Sequence, residues 1–356
     1  MRPCDGRRRA AARSDPDSGP RRGRRSCQRP ARGQPVRPAG EVCPGGLGGP
    51  GHRLSGGPVT SVEICEVSPR DGLQNESVVL ATDVKVALIE RAIAAGARRI
   101  EAVSFVHPGR VPQMADAEAV MASVPRTDDV AYLGLVMNRR GLERALAAAV
   151  DEVNVVVVAS DTFCQRNQGT TTAQACEAAA EIVADARAAG LATSITIGAS
   201  FGCPFEGEVP AERLDDVIAR VVDAGPDEIA LADTIGVAVP AAVSDRLALL
   251  GRRAPASTRR RLHLHDTRNT GVANAVAGVA AGVHVLDASI GGVGGCPFAP
   301  NATGNVATED LVYTFARSGV STGLDLENLI DAAGWLQDEI GRRLPSALLH
   351  AGPFPA

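Results

Sequence analysis

Lysine is almost missing from this 356-residue chain: of its 37 Lys and Arg residues only Lys85 is a lysine, while Arg, Ala, Gly and Pro abound in the manner of GC-rich coding. No stretch approaches the roughly 18 consecutive apolar residues of a membrane span, and no apolar signal core follows the N-terminal arginines. The expected location is therefore cytoplasmic, or a mitochondrial matrix if the N-terminal segment is a transit peptide. Eight cysteines contain no C-x-x-C pair, so neither a zinc ribbon nor a disulfide framework is signalled, and reduced thiols are expected, one of them a candidate catalyst. With a net charge of -4, no polyanion partner such as nucleic acid is indicated.

That average hides an asymmetry. Residues 1–60 hold thirteen Arg against four acids, a net of +9 that leaves -13 for the remainder. Residues 1–58 mix Arg, Pro and Gly with almost no periodic apolar face, so disorder is expected there. The segment reads as a transit peptide, a basic tail or, in better accord with its composition, translation from a start codon placed too far upstream. The domain proper is expected over 60–350.

From Val62 onward short β-branched runs alternate with Ala-rich stretches of helical period, the signature of repeated βα units. The runs fall at 62–67, 99–105, 130–136, 152–158, 193–199, 227–232, 261–265 and 284–290, with helix candidates at 83–95, 139–149, 171–189, 211–224, 239–252, 272–281 and 306–318. Eight such units predict a single α/β domain, a (β/α)8 TIM barrel, with an extra helix at 325–341. An open doubly wound sheet is disfavoured, because the first βα turn, S-P-R-D-G-L-Q-N-E, lacks the G-x-G-x-x-G phosphate turn.

Barrel enzymes carry their chemistry at the C-terminal ends of the strands. Polar residues gather at those ends here: Arg70 and Asp71, Glu101 and Ser104, Ser200, Asp233 and Thr234, then His263, His265 and Asp266, with Cys296 in the last loop. In His263-Leu264-His265 the period of two sends both imidazoles to one face, the barrel interior. Unpaired there they would be costly, whereas a metal completed by oxygen ligands accounts for both; hydrogen-bonded core histidines are the alternative. Asp71 is the obvious carboxylate ligand and the amide oxygen of Asn305 a possible fourth, a mixed set without thiolate that favours Mg²⁺ or Mn²⁺. Arg70 reads either as half of an ion pair or as a fixed donor to an enolate oxygen. Glu101 could hold it in place or accept protons. The four glycines of G-G-V-G-G-C-P-F (291–298) permit a tight turn or a flap over a ligand.

Taken together, S-P-R-D-G-L-Q-N-E (68–76), I-E-A-V-S-F-V (100–106), V-P-Q-M-A-D (111–116), H-L-H-D-T (263–267), S-I-G-G-V-G-G-C-P-F (289–298) and T-G-N-V-A-T-E-D-L-V-Y (303–313) resemble the 3-hydroxy-3-methylglutaryl-CoA lyases over about 60–350. The resemblance implies that Asp71, His263, His265 and Asn305 bind a divalent cation, that Arg70 polarises the thioester carbonyl, that Glu101 and Asp233 belong to the polar network, and that Cys296 takes part in proton transfer. It implies a retro-Claisen cleavage of a small-molecule acyl-CoA, and a homodimer. A citramalyl-CoA lyase and an acetyl-CoA-dependent condensing synthase of the isopropylmalate or homocitrate type are the alternatives; the synthases carry a different glycine pattern in place of the cysteine loop. The sequence departs from the family at Arg268-Asn269, at Ser77 and at His107-Pro108-Gly109-Arg110. Arg268 is then either a new contact to a substrate carboxylate or phosphate, or a solvated rim residue.

Overall fold

In a computed structural model of the chain, which describes residues 61–295 and 304–354, eight parallel strands close into a barrel in sequence order. They are β1 (Glu63–Glu66), β2 (Arg99–Ser104), β3 (Ala131–Val136), β4 (Glu152–Val158), β5 (Ala192–Gly198), β6 (Glu228–Asp233), β7 (Arg259–Leu264) and β8 (Val285–Ala288). The single-barrel expectation is met, and the expected C-terminal helix is observed as Leu326–Ile340. The disorder expected for residues 1–58 and the placement of Cys296 lie outside the described residues. Among the described residues no helix is long and apolar enough to cross a membrane.

Alternation along each strand separates two environments. On β4, Val153, Val155 and Val157 face outward and are buried under the helix Thr172–Ala188, whose Ala175, Ala179, Ile182 and Val183 complete the contact. Each such valine contributes roughly 1.5–3 kcal/mol on leaving water. That helix begins at a capping box between Thr171 and Gln174.

The inward face is not apolar. A small plug of Cys65, Val67, Leu133 and Val285 sits there, beside a lattice of buried ions. Arg99 donates to both carboxylate oxygens of Glu152, at 2.7 and 2.8 Å from Nη2, and to Glu228 at 2.8 Å. Arg261, with no exposed surface, meets Glu228 at 3.0 Å and Asp287 at 3.2 Å. Burial opposes ionisation of Glu228, but Arg261 and Arg99 outweigh it and bring its pKa down to about 2.

The loops above the strands are tied by buried polar groups. After β1 the chain winds one π-helical turn, Ser68–Gly72, the kind of local departure that recurs at functional sites. A Cβ on Gly72 would lie 2.6 Å from Val293, so only glycine admits the loop after β8 this close. Glu66 accepts from the Ser68 and Ile290 amides at 2.9 and 3.0 Å and from the Thr308 hydroxyl at 2.7 Å, joining the end of the first strand to the segments after the last. The lone lysine does similar work between the loops after β1 and β2. Lys85, 3% exposed, binds Asp116 at 2.6 Å and the Gln113 carbonyl, while Gln113 donates back to the Glu76 carbonyl at 2.7 Å.

Glu309 accepts the Gly291 amide proton with both carboxylate oxygens, at 3.0 and 3.2 Å. Burial pushes its pKa up to about 8. The folded protein thus keeps a proton that the unfolded chain releases near pH 4.5, so stability falls as pH rises from there toward 8. A Glu309→Gln variant, which cannot ionise, is expected to lose less stability than the wild type over that window, by on the order of 2–4 kcal/mol. Urea unfolding at the two ends of the window measures the difference, and parallel losses would show that folding leaves the affinity of Glu309 for its proton unchanged.

Candidate functional site

The functional side chains converge at the C-terminal mouth of the barrel. β7 ends at Leu264, one residue short of the expected run, and His265 continues it through an antiparallel bridge to Asn305. The alternation survives this change: His263 and His265 share a face, their Nε2 atoms 3.2 Å apart. Asp71 Oδ2 stands 3.8 Å from His263 Nε2, and one ligand atom from each of the three residues lies within 4.8 Å of the others. Asn305 donates from Nδ2 to Asp71 at 2.9 Å and to the Val293 carbonyl at 3.1 Å. Its buried Oδ1 has no hydrogen-bond partner among the described residues.

Charge states follow from these neighbours. Burial disfavours the Asp71 anion, but Arg70, His263 and His265 outweigh it and hold the carboxyl well below the usual carboxylate range. Burial and then His263 push His265 down to about 3, leaving it neutral. Burial also works against a charged His263, yet its bond to Asp287 and the Asp71 anion raise its pKa. Two imidazole nitrogens and a carboxylate oxygen this close repel through their lone pairs unless a proton or a cation lies among them. The donor set therefore fits a cation of mixed nitrogen and oxygen preference.

Arg70 is 7% exposed and clamped on two sides, Nη1 to Asp71 at 2.6 Å and Nη2 to Glu101. Glu101 is itself held by Asn154 Nδ2 at 2.9 Å, and Asn154 Oδ1 accepts from Thr196 at 2.9 Å. Arg70, Asp71, His263 and His265 line one cavity of about 880 Å³, whose walls include Arg110 and Arg166. Most of the remaining rim residues bind backbone groups, and of these Thr234 also lines the cavity. Asp233 accepts from the Val237 and Ala238 amides, both at 2.9 Å. Asp266 accepts the Gly271 amide at 2.6 Å, opening the helix Gly271–Ala280, Thr234 accepts the Ala199 amide at 3.0 Å, and Ser200 donates to the Ile197 carbonyl at 2.7 Å. Ser104 Oγ is buried without a hydrogen-bond partner among the described residues. Arg268 donates to the carbonyls of Ile235 and Gly236 at 3.0 and 2.7 Å, so it stitches the loops after β6 and β7 together.

Asn154, Thr196, Arg261 and Asp287 were not among the expected site residues. The signal for Asn154 was present as a lone amide in E-V-N-V-V-V-V, since strands buried on both faces normally run almost wholly apolar. The period of two that paired the histidines also reaches back to Arg261. Asp287 is found only through register, which sets it beside His263 on the neighbouring strand.

A closed βα barrel bearing a carboxylate, two histidines and a clamped arginine at its C-terminal mouth belongs to the class of barrel enzymes with a candidate cation site. The family model described as HMGL-like matches residues 61–335. This chain belongs to that family and is a carbon–carbon lyase. It is 45% identical to an (R)-citramalyl-CoA lyase of Chloroflexus aurantiacus, over 82% of this chain and 95% of the relative. A hydroxymethylglutaryl-CoA lyase of Bacillus subtilis is 41% identical over 81% and 96% of the two chains. Among solved structures, an HMG-CoA lyase of Acinetobacter baumannii in complex with coenzyme A and 3-methylmalate superposes with a TM-score of 0.79 at 38% identity, covering 83% of this chain and 96% of that one.

Proposed function

We propose that this protein cleaves 3-hydroxy-3-methylglutaryl-CoA, or a close branched 3-hydroxyacyl-CoA, between C2 and C3 to acetyl-CoA and the corresponding oxo acid. The observation that carries the reading is the convergence of Asp71, His263 and His265 beside the doubly clamped Arg70 in one cavity. Asp71, His263, His265 and Asn305 would hold the ion, and a donor set without thiolate suits Mg²⁺ or Mn²⁺. When bound, a divalent cation supplies Lewis acidity to the substrate's hydroxyl and carboxylate oxygens.

The protein's own residues do the rest. Arg70, fixed before substrate arrives, presents positive charge to the thioester oxygen, where charge grows as the bond breaks. Loss of the hydroxyl proton makes the C3 carbonyl, the electron pair of the C2–C3 bond passes into the acetyl-CoA enolate, and protonation at C2 completes the product. Glu101 and Asn154 keep the guanidinium aimed. Arg110 and Arg166 on the cavity wall supply positive charge for the phosphates of coenzyme A. This reading assigns the proton transfer to Cys296, which lies outside the described residues.

Citramalyl-CoA is the second candidate substrate, favoured by the 45% identity to the Chloroflexus enzyme. Its carboxylate sits on the carbinol carbon itself, one carbon nearer than in 3-hydroxy-3-methylglutaryl-CoA. Incubation of the purified protein with either thioester and Mn²⁺ is expected to release acetyl-CoA with acetoacetate from the first or pyruvate from the second, and chelator should stop it. Turnover of citramalyl-CoA alone would transfer the assignment, and release unaffected by chelator would overturn the reading of the site.

A further inference from the structure

We infer that Asp287 and Arg261 form a positioning pair that fixes the tautomer of His263, keeping its Nε2 lone pair turned toward the cluster with Asp71 and His265. The inference rests on the cation-site reading above and deepens it. Arg261, His263 and His265 stand on one face of the same stretch of chain, and β7–β8 register sets Asp287 directly beside His263. Asp287 is 3% exposed; its Oδ2 lies 3.0 Å from His263 Nδ1 and its Oδ1 lies 3.2 Å from Arg261 Nε. An ionised carboxylate only accepts, so the neutral ring must carry its proton on Nδ1. Arg261 is held in turn by Glu228 at 3.0 Å and reaches Thr196 at 3.4 Å, so it cannot swing away from Asp287. Its guanidinium places a fixed positive charge 3.2 Å from the Asp287 carboxylate.

Arg261 also decides what an amide would do in place of Asp287. It offers only donors, so Asn at position 287 would turn its oxygen toward Arg261 and its NH₂ toward His263 Nδ1. The ring proton would then move to Nε2, where it blocks a ligand bond. This is the logic by which the corresponding Asp-to-Asn change in a serine-protease triad selects the wrong tautomer.

Three measurements test the pair. Histidine ¹⁵N spectra of metal-free wild-type protein at alkaline pH are expected to show His263 protonated at Nδ1, and the same spectra of Asp287→Asn to show it protonated at Nε2. Titration with Mn²⁺ alone is expected to give Asp287→Asn a dissociation constant on the order of 10- to 100-fold above wild type. Arg261→Lys, which keeps the charge but loses the fork, should fall between them. A wild-type ring protonated at Nε2 overturns the inference even if no variant folds, and unchanged Mn²⁺ affinity in a folded Asp287→Asn does so as well. Wild-type protein that keeps the Nδ1 tautomer yet binds no Mn²⁺ would instead overturn the cation-site reading and leave the positioning of His263 standing.

Discussion

Arg70→Met is expected to lower kcat by on the order of 10²- to 10³-fold while leaving the bound cation in place, because it removes one preorganised donor to the developing enolate. The guanidinium also neutralises Glu101, which has no exposed surface. Stranding that carboxylate would cost about 3–5 kcal/mol of stability, so the loss of rate has to be separated from partial unfolding. The double variant Arg70→Met/Glu101→Gln removes both charges and should recover much of the stability without the rate. Recovery of rate in the double variant would show that Arg70 serves only to neutralise Glu101. Steady-state kinetics and chemical denaturation on the three proteins decide between the two roles.

The second large effect belongs to His265. This imidazole is buried, neutral and 3.2 Å from its partner ring, with Nδ1 lacking a hydrogen-bond partner among the described residues. His265→Ala removes a nitrogen donor without removing a charge, so the fold should lose little beyond the transfer and cavity terms of a small buried ring. Cation affinity is expected to fall by at least about 10²-fold, and activity with it, since a mixed site of few protein ligands cannot spare one. Elemental analysis after dialysis gives the stoichiometry directly. An ion retained at wild-type occupancy would mean that the two histidines are hydrogen-bonded core residues.

How much of this was legible in the chain depended on whether the signal was local. The run 152–158 became β4 with those same bounds, and 193–199 became Ala192–Gly198, because β-branched runs between Ala-rich stretches are set by near neighbours. The last run was read too long. Ile290–Gly292 forms a 3-10 turn, since the Ile290 amide is taken by Glu66, a residue 224 positions away that no window of sequence contains. The helix Asp161–Gln168 was not foreseen; it carries the polar run Q-R-N-Q and shows little apolar periodicity. The His263–His265 pair was legible because alternation is a rule of two residues. Asp287 was not, because its meaning lies in the register of two strands. Arg268 had two readings open, a substrate contact or a solvated rim residue, and the carbonyls that occupy its Nη1 are visible only in three dimensions.

The near absence of lysine reaches beyond packing. The barrel's only primary side-chain amine, on Lys85, is buried and bound to Asp116 and a backbone carbonyl. Amines attack thioesters, and an enzyme that handles acyl-CoA works among them. Here the folded barrel presents arginines, which stay protonated and do not acylate, so its charged surface is chemically silent toward its own class of substrate. The same property makes amine-directed labels poor reagents for the native barrel and sensitive reporters of its opening, since Lys85 becomes available only when the contacts around it are lost.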